Sequence, residues 1–305
     1  MIARRLLLLF VLGVGLGLPG VVPGGQAQAT EGTAAAWTTL ARYGDAKALA
    51  VDPRGRLYVA DAGRDVVEIL SAEGEPLDVI GGSGTRPGAF DVPSDVDPTN
   101  GQVLLVADTY NGRIQRFSEE GRYLESLPIG RPDQRAGAGW SFENREASDP
   151  VQGNGRPTAV AQDDNGSIFV LDQRRRQLLK WTDLGGVERI VDGGTRLQDP
   201  VALAIGDARQ LYVADAGQDA VLVYDSFGTF RRRVPVPPLP NVQALAVRRG
   251  RLYIVSADAV RIWDQSKGLV ATHVVDRSEP LADVAHANGD VYLLTDARLL
   301  RADGW

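Results

Sequence analysis

The chain has no cysteine and only two histidines, His273 and His286. The first absence excludes disulfides, thiolate metal sites, thiol catalysis and a lipid-modified N-terminal cysteine, so a large core must hold the fold. The second excludes a three-histidine zinc site. Basic charge is also in deficit: 33 lysines and arginines against 39 acidic residues give a net charge of −6. A general nucleic-acid binder needs a basic footprint, and an anionic lipid surface would repel this chain. No Gly-x-Ser-x-Gly elbow is present, and no glycine loop joins a strand to a helix as nucleotide sites require. Apolar residues nowhere sustain the period of about 3.6 that marks an amphipathic helix, which predicts almost no helix.

One long apolar run exists. Leu6–Leu18 follows Arg4 and Arg5, is broken by Gly13, Gly15 and Gly17, and stops at Pro19. Ala27-Gln28-Ala29 fits a small-x-small cleavage site. Residues 1–29 therefore read as a signal peptide, and the protein is expected to be exported, to the periplasm or the medium. The run falls short of the about 20 residues of a membrane span, so no stable span is expected after cleavage.

What is abundant is a repeated phrase. Leu57-Tyr58-Val59-Ala60-Asp61 recurs as Leu104–Asp108, Ile168–Asp172 and Leu211–Asp215, then more loosely as Leu252–Ser256 and Val291–Thr295. The aromatic-equivalent positions 58, 105, 169, 212, 253 and 292 are spaced 47, 64, 43, 41 and 39 apart. Periods of about 40–45 with several short strands per copy indicate propeller blades. Copy one reads as strands over Ala48–Val51, Leu57–Ala60, Val66–Leu70 and Pro76–Ile80, separated by Asp52-Pro53-Arg54-Gly55, Asp61-Ala62-Gly63 and Glu73-Gly74.

The first strand of each copy carries a second pattern. One position reads Leu49, Val96, Val160, Leu203, Leu245 and Val284; the position before it reads Ala48, Asp95, Ala159, Ala202, Ala244 and Asp283. The position after it reads Ala50, Asp97, Ala161, Ala204, Ala246 and Ala285. Side chains alternate across a strand, so a branched residue faces one way and a small one the other. That suits sheets crowded around an axis, where large meets small at native density. Copy six lacks a fourth strand, and Trp37–Gly44 resembles one. The expectation is an all-β, six-bladed propeller over 36–305, of four-stranded antiparallel blades, the last closed by the N-terminal strand.

The phrases Gly-Arg-Leu-Tyr-Val-Ala-Asp-Ala-Gly-Arg-Asp-Val-Val (55–67) and Val-Leu-Leu-Val-Ala-Asp-Thr-Tyr-Asn-Gly-Arg-Ile-Gln-Arg-Phe (103–117) resemble the NHL repeat. Copies three, five and six depart from it: Asp172 is followed by Gln173-Arg174-Arg175-Arg176, and copy five has Ser256. Members of that family include protein-binding and RNA-binding modules, a peptide-processing lyase and relatives of lactonase-type hydrolases, so fold alone names no activity. The resemblance implies a top face where first strands begin and where the loops between second and third strands lie. It would put Lys47, Ser94, Asp95, Thr158, Gln243 and Asp283 near the channel mouth. Around them would stand Arg64, Tyr110, Asn111, Arg113, Arg174, Arg175, Arg176 and Gln218. The insertion over 131–155, carrying Trp140 and Phe142, would flank them; long loops in a compact domain are often functional.

Asp95, Asp97 and Asp283 replace alanine at crowded positions. They could bind a cation or an ammonium group, or be solvated by channel water. The recurring Asp61, Asp108, Asp172 and Asp215 read as turn caps. The expected function is a non-catalytic binding or scaffolding propeller that takes a protein, peptide or glycan-like ligand at the mouth, with no nucleic-acid partner. The alternative is a calcium-dependent lactonase or esterase-like hydrolase using Asp95 and Asp283, although no aligned Glu and Asn complete a ligand set; otherwise no cofactor is expected.

Overall fold

The computed structural model describes residues 37–98, 101–130, 153–181, 189–193, 196–206, 208–236, 241–274, 279–287 and 289–302. Residues 1–29, expected to be a signal peptide, Trp140 and most of the 131–155 insertion lie outside them. Six four-stranded antiparallel sheets form, and five of them run in chain order. Their innermost strands are Ala46–Val51, Pro93–Asp97, Pro157–Gln162, Pro200–Ile205, Val242–Arg248 and Leu281–Ala287. Each touches the next, and the sixth touches the first, so the blades close into a ring. Helix is confined, among the described residues, to one short 3-10 turn at Ala216–Gln218. None of the described helices is long and apolar enough to cross a membrane.

Turn chemistry explains the strand breaks. In blade one the Asp52 carboxylate accepts the N–H groups of Arg54 and Arg56, both at 2.9 Å. Gly55 there takes a φ of 85°, a region that favours glycine. Asp163 does the same for Asn165 and Ser167 at 2.9 Å, so Asp163-Asp164-Asn165-Gly166 is a hairpin turn.

The core divides among the six seams between neighbouring blades. Ala48 of blade one packs with Val96, Leu104 and Val106 of blade two. Ala159 meets Leu203, and Ala202 meets Leu245. Leu49 turns the other way, onto Tyr292 and Leu294 of blade six. Large-against-small packing therefore repeats around the axis, each buried branched side chain contributing about 1.5–3 kcal/mol.

The sixth sheet is completed from the other end of the chain. Trp37–Arg42 lies antiparallel to Arg298–Ala302, with Trp37 opposite Ala302 and Arg42 opposite Arg298. The register slips between Thr39 and Ala41, so Leu40 sits in a bulge rather than in a direct pair.

Candidate functional site

One hydrogen bond recurs in every blade and defines a common face. The residue after the end of the second strand donates its N–H to the loop that leads into the first strand. The pairs are Ala62 to Asp45, Thr109 to Val92, Gln173 to Arg156, Ala216 to Asp199, Ala257 to Asn241 and Asp296 to Pro280. Both sets of loops thus form one rim, as expected. Directly below it each innermost strand carries a bulge, at Lys47, Ser94, Thr158, Val201, Gln243 and Ala282. Bulges re-aim side chains beside sites.

The axial carboxylates have partners of their own. Asp95 accepts the Val96 N–H on one oxygen at 2.8 Å and, on the other, the Val160 N–H of blade three, also at 2.8 Å. Asp283 repeats this with Val284 at 2.7 Å and with Leu49 of blade one at 2.9 Å. Asp97 accepts the Gln162 N–H across the same seam as Asp95. An innermost strand is a sheet edge with unpaired N–H groups, and these carboxylates satisfy them from the neighbouring blade. Where the other seams use alanine, these two use a clamp. Both side chains are half-buried, with protein packed densely around them. That enclosure pushes Asp283 up to about 7 and Asp95 well above the usual carboxylate range, in Asp95 with help from the charges of Asp283 and Asp97.

Calcium takes six to eight oxygens. Both oxygens of Asp95 and of Asp283 already accept N–H bonds, and no group of three or more His, Asp or Glu among the described residues is placed to hold a metal. This donor set does not fit a calcium cage.

The other predicted residues separate into two groups. Asn111 and Arg113 do not reach the mouth, correcting that expectation: both are buried inside blade two. The Arg113 guanidinium pairs with Asp108 at 2.7 Å and donates to the Arg86 and Ala89 carbonyls, and the Asn111 amide donates to Asp108 and Gly84. Lys47, Gln243, Arg64 and Arg174 are exposed on the rim and Thr158 is half-buried. Lys47 pairs with Asp45 at 2.5 Å, and Arg64 with Asp61 at 2.6 Å and Glu68 at 3.2 Å. Arg175 is tied to Asp172 at 3.0 Å. Trp140 lies outside the described residues.

A groove of about 510 Å3 opens on the rim between blades two and three, lined by Thr109, Tyr110, Gly155, Arg156, Gln173 and Arg174. The Arg156 guanidinium stands 5.4 Å from the Tyr110 ring centroid, and Tyr110 is 60% exposed. Beneath it the Thr109 hydroxyl donates to the Pro157 carbonyl at 2.8 Å and accepts from the Ser94 hydroxyl at 2.6 Å. Gly155 donates to the Ile129 carbonyl at 2.9 Å, and a Cβ added there would meet the Ile129 side chain at 2.4 Å. Sequence reading missed Arg156, Thr109 and Gln173. The available signal was an alignment of the rim loops, because Arg156 is a cation where the other copies have Asp, Val, Asp, Asn and Pro.

No family model matches the chain, and no curated protein matches it. Solved structures do. A gluconolactonase from Xanthomonas campestris is 14% identical with a TM-score of 0.66, covering 88% of this chain and 89% of that one. A virginiamycin B lyase from Staphylococcus aureus is 10% identical with a TM-score of 0.61, covering 88% and 97%. A nidogen/laminin complex contains a chain 17% identical with a TM-score of 0.57, covering 76% and 81%. At these identities the likeness establishes the six-bladed propeller and nothing finer.

Proposed function

We propose that this chain is an exported, non-catalytic binding propeller of NHL type that takes a protein, peptide or glycan-like ligand on its rim face. The observation that carries the reading is the engagement of the axial carboxylates. Asp95 and Asp283 bridge blades through backbone N–H groups, which leaves the rim as the chemically varied surface. A nidogen/laminin complex shares the architecture, which accords with its use for a protein partner. The competing reading is a lactone hydrolase, favoured by the two channel carboxylates and the likeness to a gluconolactonase.

The two readings part in one set of measurements. The binding reading expects no lactone or ester turnover and no calcium-dependent rise in melting temperature, since a ligand of the folded state alone would raise it. It also expects a partner captured from envelope extract to be lost with Tyr110→Ala and kept with Lys267→Gln on the opposite face. Turnover that disappears in Asp95→Ala or Asp283→Ala would refute it.

A further inference from the structure

The ring is nearly symmetric, so positions that break the symmetry stand out. Two residues past the end of the second strand the copies read Gly63, Tyr110, Arg174, Gly217, Asp258 and Ala297. Large side chains with binding chemistry appear there only in blades two and three, which are adjacent. The loop position that accepts the recurring hydrogen bond is a cation only at Arg156. All three departures line one groove.

Among the described residues neither Arg156 nor Arg174 makes an ion pair; Arg174 donates to the Asn154 carbonyl at 3.4 Å and Arg156 lies over Tyr110. Their neighbours Arg64, Arg175 and Arg196 each have a carboxylate. Among the described residues, two guanidiniums without an ion pair therefore line one concavity of a chain whose net charge is −6. A guanidinium presents a planar fork that matches a carboxylate, and Tyr110 offers an amphipathic ring beside it. The volume suits a few residues of an extended chain rather than a flat domain face. The hydrogen bonds of Thr109 and Gly155 hold the floor in place beforehand, which lowers the ordering cost of binding. Long polyanions are disfavoured by the acidic whole, whereas a short acidic segment feels mainly the local field.

We propose that this groove is an acidic-peptide site, in which Arg156 and Arg174 grip an aspartate or glutamate carboxylate and Tyr110 carries the adjoining side chain. The assignment rests on the binding reading above and names the ligand class for it.

The test uses the intact protein and labelled heptapeptides bearing zero, one, two or three glutamates around a central phenylalanine, followed by fluorescence anisotropy. Affinity should rise with glutamate number and fall with added salt. Arg156→Gln and Arg174→Gln should each weaken the acidic peptides about tenfold, the corresponding Lys variants should restore part of it, and Lys267→Gln should change nothing. All the substituted side chains are exposed, so unchanged melting curves serve as the folding control. Affinity independent of glutamate number, no binding at millimolar peptide, or a preference for an oligosaccharide of uronic acids would overturn the assignment. A captured partner that still binds the Arg156 and Arg174 variants would overturn it too, while leaving the binding reading intact. Lactone turnover would instead remove the binding reading itself.

Discussion

An aspartate ends the second strand in four of the blades, and each is fully buried. Asp61 holds the Gly63 N–H within its own turn at 3.0 Å. The others also reach the incoming segment of the same blade: Asp108 takes the Asp91 N–H at 2.8 Å, Asp172 that of Arg156 at 3.0 Å, and Asp215 that of Gln198 at 2.7 Å. Asp108 additionally faces the fully buried Arg113 and the amides of Asn111 and Gln115. Removing one member of a buried pair strands the other charge, so Asp108→Ala should cost about 3–5 kcal/mol, read from urea denaturation. A loss near zero would mean that Arg113 finds water instead. The capping role was legible in the sequence. The burial of Arg113 and Asn111 was not, because it comes from the Gly84–Ala89 segment folding over them, a contact 24 to 27 residues away in the chain.

At the scale of strands, alternation and turn residues located the four strands of copy one and the first and second strands of every copy, with ends displaced by a residue or two; copy one runs Ala46–Val51, Leu57–Asp61, Val66–Leu70 and Pro76–Gly81. The closing strand was legible as well, since a missing fourth strand at one end matches a spare one at the other. Illegible were the clamps of Asp95 and Asp283, whose N–H partners lie 65 and 234 residues away. No local pattern encodes such a pairing. Closure by Trp37–Arg42 carries its own prediction. Without it, Arg298–Ala302 becomes an exposed edge and Leu299 loses part of its cover. A chain starting at Asp45 should lose much of the about 5–15 kcal/mol typical of folded domains and scatter light at low concentration. A synthetic peptide spanning 37–44, added in excess, should restore part of its melting temperature by adding a strand to that edge. A truncated chain as stable as the full one would show that the closure contributes little.

For the ring as a whole, the clamps tie two of the six seams to solution pH. Unfolded, an aspartate titrates at about 4. In the folded ring burial raises Asp283 to about 7 and Asp95 in the same direction. The folded state thus holds the proton more tightly than the unfolded chain. This contribution is fully present below about pH 4 and is lost as the pH rises through about 7. The stability gap between the native protein and Asp283→Asn should narrow steadily over that window in urea denaturation; a constant gap would show that Asp283 does not titrate there. The propeller itself was readable from spacing alone, whereas the groove emerged only once the rim loops of neighbouring copies stood side by side. The ring closure also sets a clock. At a synthesis rate of about 5–20 residues per second, Trp37–Arg42 exists for on the order of ten seconds or more before Arg298 is made. Through that interval the first strand must wait without its partner, and the final join is set by when the last segment arrives.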